Sequence, residues 1–137
     1  MKDLIDELTW KAILHHEDGA TAEYYRRLKE TRRLWTTRCA ACAHVCYPPR
    51  PFCPKCLAEQ QEWIEIGQGA TLYAFTTQAR ALRFVAPDVI GVVELPGVGR
   101  IVSKIEAKLD ALRIGMPLRF RVLEVSKDLV VHAFEPG

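Results

Sequence analysis

No stretch of this sequence approaches the roughly 18 to 20 consecutive apolar residues that a membrane helix needs, although 49% of its 137 residues are hydrophobic. The N-terminus reads Met1-Lys2-Asp3-Leu4-Ile5-Asp6-Glu7. Acids stand there where a secretory signal has its apolar core. Neither a membrane span nor a secretory leader is expected, and the chain reads as cytoplasmic. A large charge of one sign is also missing. A net charge of +2 excludes a polycation held to nucleic acid by charge alone. The signatures of an autonomous enzyme are absent as well: no HExxH, no GxGxxG, no P-loop, and no Ser or Cys in a recognisable nucleophile elbow. Covalent catalysis needs a nucleophile, a base and a group that orients the base. The sequence shows no such set, so the chain is not expected to be an enzyme on its own. It has no internal repeat and no low-complexity tail.

What is present divides the chain into three parts. A length of 137 residues suits one domain, or two small modules sharing a core. Residues 2–37 contain no proline and read as helical. Leu4, Leu8 and Ala12 recur every fourth residue, with Ile5 and Ile13 beside them. Gly19 is expected to stop this first helix. Thr21 is expected to cap a second, with Glu23 in its first turn and Tyr24, Leu28 and Trp35 on one face. Glu23 with Arg27 and Arg26 with Glu30 form i,i+4 pairs. Charge is divided along this segment. Residues 1–18 carry two lysines against five acids, a balance of −3, and residues 23–38 carry six cations against two acids, a balance of +4. Contact with another molecule and a solvated helix face both account for such blocks.

The second part, residues 38–60, holds all five cysteines, together with Pro48, Pro49, Pro51 and Pro54. Those prolines exclude a helix or a central strand. Reduced cysteines clustered this tightly favour a metal over disulfides. Cys39-x2-Cys42 and Cys53-x2-Cys56 form two knuckles, each able to aim two thiolates and nearby N–H groups at one ion. Four sulfurs suit tetrahedral zinc at ~2.3 Å, with no position left open for water, so the expected role is structural. Iron in a rubredoxin-like site uses the same four thiolates. Rubredoxin knuckles continue with glycine, however, and Ala43 and Leu57 stand at those positions here. Cys46 is left over as a buried or free thiol. His44 could replace a ligand, but four thiolates suffice, and His15, His16 and His132 read as surface or core histidines. Neither CxxC lies at a helix start within a βαβ pattern, which argues against thioredoxin-like redox chemistry.

The third part, residues 61–137, reads as strands. Trp63, Ile64 and Ile66 open it, and Gly67-Gln68-Gly69 turns the chain. Thr71–Thr77, Val89–Leu95, Arg100–Ile105, Leu118–Val125 and Leu129–Phe134 follow. Pro96-Gly97-Val98-Gly99 marks a hairpin, and Leu109–Leu112 a short helix or turn. Five short antiparallel strands fit the five-stranded oligonucleotide/oligosaccharide-binding (OB) barrel. Tyr73 and Phe75 fall on one strand face, a pattern more often core than stacking platform.

Together these motifs resemble a known family: Cys39-Ala-Ala-Cys42, Tyr47-Pro48-Pro49-Arg50, Cys53-Pro54-Lys55-Cys56, Gly69-Ala-Thr-Leu-Tyr-Ala-Phe-Thr76, Val89–Glu94 and Leu112-Arg-Ile-Gly-Met-Pro-Leu118. Its members place a helical segment and a rubredoxin-like zinc ribbon before an OB fold, and they assemble with thiolase-like enzymes of acyl-CoA metabolism. The resemblance covers about residues 22–135. Ala43, where relatives commonly have Gly, departs from the pattern. The implied fold is mainly β with N-terminal helices: a helical segment at 1–37, a zinc ribbon at 38–60 and an OB-fold domain at 61–137. The implied function is a non-catalytic zinc-binding accessory subunit of a thiolase-type acyltransferase complex, with one structural zinc per chain. The partner would supply the catalytic residues. The small zinc-binding subunits of benzoylsuccinyl-CoA thiolase and phloroglucinol acyltransferase complexes are the most similar kinds.

In that role the chain would also help form a CoA-binding surface. Arg80 and Arg83, in the loop after Thr77, are candidates to contact CoA phosphates. The apolar faces of the N-terminal helices, Trp35 included, are expected to dock on the partner. The alternative is a nucleic-acid-binding ribbon/OB module using Tyr73 and Phe75.

Overall fold

The computed structural model describes residues 19–80 and 88–137. The chain separates into two compact units. Among the described residues, one holds residues 19–65 with Val122–Val131, and the other the described part of Ile66–Arg121 with His132–Gly137.

In the first unit, helix α1 spans Gly19–Thr31. Ala20, Tyr24 and Leu28 lie four apart and are all buried, giving the helix one apolar stripe. Its outer side carries ion pairs from Glu23 to Arg26 (2.5 Å) and Arg27 (2.8 Å), and from Arg26 to Glu30 (2.6 Å). Arg32 ends the helix in a left-handed conformation, φ 58°, with its N–H bonded to the Leu28 carbonyl at 3.1 Å. Strands β1 (Trp35–Cys39), β2 (Val45–Cys46) and β3 (Gln61–Glu65) then form an antiparallel sheet in the order β2-β1-β3.

Several expectations are corrected here. Gly19 is the first residue of α1, and Thr21 lies inside the helix rather than capping it. Trp35 belongs to β1, because the β-branched Thr36 and Thr37 favour a strand once Arg32 has broken the helix. Residues 61–65 pair with β1 from Trp35↔Glu65 to Cys39↔Gln61, so this strand belongs to the ribbon sheet and does not open the barrel. The face of α1 expected to stay free is used within its own unit. Leu28 is 1% exposed, and the Tyr24 hydroxyl hydrogen-bonds that of Tyr47 at 2.8 Å. The first expected helix lies outside the described residues.

The second unit is built on β4 (Thr71–Gln78), β5 (Asp88–Leu95), β6 (Gly99–Ile105), a 3-10 turn at Leu109–Ala111, and the larger parts of β7 (Leu118–Glu124) and β8 (Val130–Pro136). The strand order is β4-β5-β6-β8-β7, with β6 and β8 parallel. The ends of the sheet meet through a bridge between Thr71 and Pro117, supported by Leu118 N–H to Ala70 O (2.8 Å) and Leu72 N–H to Met116 O (3.0 Å). This closure gives the five-stranded Greek-key barrel anticipated for this region. Leu72, Val93, Ile101, Ile105 and Phe134 fill its core. Gly97, φ +73°, makes the β5–β6 hairpin turn possible.

Candidate metal centre

The first knuckle grows out of the end of β1. Cys39 N–H bonds the His44 carbonyl, Ala43 N–H bonds the Cys39 carbonyl, and Ala40 N–H bonds the Gln60 carbonyl, each at 2.9 Å. The second repeats the arrangement, with Cys53 N–H on Ala58 O at 2.8 Å and Leu57 N–H on Cys53 O at 2.9 Å. Each knuckle closes on an L-residue in left-handed conformation, Ala43 at φ 64° and Leu57 at φ 67°. That conformation costs about 1 to 2 kcal/mol for a non-glycine residue. A tetrahedral zinc contributes on the order of 10 kcal/mol to a ribbon, so metal binding readily offsets both.

Among the described residues, Cys39, Cys42, Cys53 and Cys56 form a group whose sulfurs all lie within 4.8 Å of one another. The Cys39–Cys56 and Cys42–Cys53 sulfurs are 3.6 Å apart. Tetrahedral bonds of ~2.3 Å place ligand sulfurs ~3.8 Å apart, so the four cysteines fit zinc. The charge pattern supports the same conclusion. The Cys42 N–H, 3.4 Å from the Cys39 sulfur, together with that of Ala41, draws the Cys39 thiol down to about 6. At Cys56 the Ala58 N–H acts downward, but the sulfurs of Cys39 and Cys42 push the thiol up to about 12. Four thiolates this close need a cation among them. Cys39 and Cys53 are buried, whereas Cys42 and Cys56 are exposed.

Cys46 stays out of the cluster. It is buried, with its sulfur 3.5 Å from Thr37 Oγ1, and its carbonyl accepts from Thr36 Oγ1. Arg80 is exposed, and Arg83 lies outside the described residues. Tyr73 is not a core residue. The β4–β5 register steps from Leu72↔Val93 to Ala74↔Val92, so Tyr73 is the extra residue of a bulge. It is exposed, with the Arg100 guanidinium 3.6 Å from its ring centre.

Two arrangements had no sequence signal. Arg27 lies over both Trp35 (4.7 Å) and Trp63 (5.0 Å). His132 Nδ1 is 2.7 Å from Ser103 Oγ. That pair resembles a nucleophile and base, but Ser103 is 4% exposed and burial lowers the imidazole to about 4. So weak a base in so closed a place acts as a core hydrogen bond. Neither arrangement has a spacing pattern, because the partners come from different strands or from a helix and a strand.

Known proteins share this arrangement. Residues 26–61 match the family described as ChsH2, rubredoxin-like zinc ribbon domain, and residues 63–123 match ChsH2, C-terminal OB-fold domain. A probable enoyl-CoA hydratase alpha subunit of Thermomonospora curvata is 32% identical over 109 residues, 77% of this chain and 34% of that protein. The chain thus spans about a third of that relative's length. A DUF35 domain-containing scaffold protein of Methanothermobacter thermautotrophicus is 26% identical over 100 residues, 69% of this chain and 75% of that protein. Among solved structures, a chain of the Ltp2-ChsH2(DUF35) aldolase superposes with a TM-score of 0.78 at 29% identity, covering 88% of this chain and 97% of that one. A DUF35-family protein of unknown function from Sulfolobus solfataricus shares the fold, with a TM-score of 0.63 at 16% identity over 95% of this chain and 98% of that one. Ribbon and barrel occur here in the order of the two matched domains, and the chain belongs to the DUF35/ChsH2 family, in which a rubredoxin-like zinc ribbon is joined to an OB fold.

Proposed function

We propose that this chain is a non-catalytic scaffold subunit of an acyl-CoA-processing complex, with a thiolase-type partner that carries the catalytic residues. One observation carries the reading: the chain matches nearly the full length, 97%, of a chain from a protein named Ltp2-ChsH2(DUF35) aldolase. The names of the other relatives agree, one a hydratase subunit acting on an enoyl-CoA and one a scaffold protein. Within this role, one zinc held by Cys39, Cys42, Cys53 and Cys56 fixes the ribbon. Arg80 and Arg83 are the residues we assign to CoA phosphates. We favour a complex of the benzoylsuccinyl-CoA thiolase type, on the sequence resemblance, and a cytoplasmic location. Among the described residues no helix is long and apolar enough to cross a membrane.

The test is co-expression with a candidate thiolase-type catalytic subunit. A stable hetero-oligomer with acyl-CoA activity, and no activity from this chain alone, is expected. Single-stranded DNA binding with a steep salt dependence, and no complex, would instead establish the nucleic-acid reading.

A further inference from the structure

We infer that the tip of the ribbon, around the second knuckle, docks on an apolar surface rimmed by carboxylates on the catalytic partner. This rests on the scaffold reading and adds the place of contact. Leu57 carries the first part of the argument. It sits at φ 67°, a conformation glycine adopts freely and leucine does not, and its side chain is 71% exposed. The left-handed turn belongs to the zinc knuckle, as it does at Ala43. The knuckle does not account for a leucine at that position with its side chain in water, and that exposed apolar area points to a contact outside the chain. Phe52, 41% exposed, flanks the same turn, which is closed by the Cys53–Ala58 hydrogen bond.

Charge identifies the occupant. Around the second knuckle, residues 50–59 carry Arg50 and Lys55 against one acid, Glu59. Elsewhere in the ribbon unit Arg32, Arg33 and Arg38 are matched by Glu124, Glu65 and Glu62. Arg50 and Lys55, both exposed beside the knuckle, have no ion pair among the described residues. A matching surface therefore offers apolar area in the centre and carboxylates at the rim. Like charges disfavour a tip-to-tip contact between two copies of this chain. Nucleic acid is a poorer fit, because Arg50 and Lys55, with Glu59 beside them, fall short of the roughly six to ten phosphate contacts of a tight complex.

The experiment uses the full chain and the thiolase-type subunit of the co-expression test. Leu57→Gly removes both the strain and the apolar contact. It is expected to raise the melting temperature of the zinc-loaded chain and to weaken the complex by about tenfold or more, as loss of an interface hot spot does. Arg50→Glu, outside both knuckles, is expected to leave melting and zinc content unchanged, weaken the complex, and flatten its salt dependence. If the wild-type complex forms and both variants bind as tightly as wild type, the docking site lies elsewhere. A lowered melting temperature for Leu57→Gly would show that Leu57 packs within its own chain, and would equally overturn the inference. Failure of the wild-type chain to form any complex would overturn the scaffold reading along with it, and tip variants that lose DNA binding instead would assign the surface to nucleic acid.

Discussion

Five cysteines of one chemical type have different roles because of where the backbone puts them. Cys53 is fully buried and lies 3.6 Å from the Cys42 sulfur, and Lys55 N–H points at it from 3.4 Å. Cys53→Ser should yield protein without zinc and insoluble, since a hydroxyl is a poor zinc ligand. The Cys46 sulfur lies 3.5 Å from Thr37 Oγ1, outside the four-sulfur cluster. Cys46→Ser should keep stoichiometric zinc by elemental analysis, and loss of zinc from that variant would mean the ligand set is wrong. His132 makes a pH prediction. Burial holds its folded pKa at about 4 against an ordinary 6.5. Between those values the unfolded chain binds a proton that the folded chain does not, so stability is full above pH 6.5 and falls as pH drops toward 4. The loss is on the order of 3 kcal/mol. His132→Asn should flatten the dependence of urea midpoint on pH between 7 and 5, with zinc content measured at each pH to separate out metal loss.

At the scale of elements, packing tolerance differs between the barrel and the helix. Gly91 in β5 faces the barrel core, where an added Cβ would meet Ile105 Cγ1 at 2.8 Å and Leu72 Cδ1 at 2.9 Å. Both neighbours are almost fully buried and cannot swing away. Gly91→Ala should therefore cost about 1 to 3 kcal/mol by overpacking, read as a lowered denaturant midpoint with an unchanged slope. Leu28 on α1 presents the opposite case. Leu28→Ala leaves a cavity and should cost about 2 to 5 kcal/mol, which calorimetry would detect. Strand positions were legible in the sequence because alternation and the Pro96–Gly99 turn are local signals. The two knuckles were legible because CxxC spacing is local too. The true partner of residues 61–65 was not, since pairing with β1 reaches back across the whole cysteine loop. The end of α1 was hidden because Arg32 rather than a glycine adopts the left-handed cap. The bulge at Tyr73 and the Ser103–His132 bond were invisible for the same reason: each depends on a neighbouring strand's register.

For the whole molecule, metal removal distinguishes the two units, because they are held by different forces. Between residues 38 and 60 the buried residues are Cys39, Cys46, Pro49 and Cys53. Two of these four belong to the sulfur cluster, so the metal site stands in for a hydrophobic core there. The barrel instead buries Leu72, Val93, Ile101, Ile105 and Phe134, which owe nothing to a metal. Stripping zinc with a chelator should remove on the order of 10 kcal/mol from the ribbon, more than the whole stability of many domains. Hydrogen exchange should then show the amides of β1 and β3 losing protection while those of β5 and β6 keep it. Trp35 and Trp63 would lose their stacking on Arg27, and in a Trp10→Phe background their fluorescence should shift to the red. If the ribbon tip holds the partner, the complex should dissociate over the same chelator range. Simultaneous loss of protection in β1 and β5 would mean that the metal supports the barrel as well. A stripped chain that stays bound to its partner would place the contact outside the ribbon.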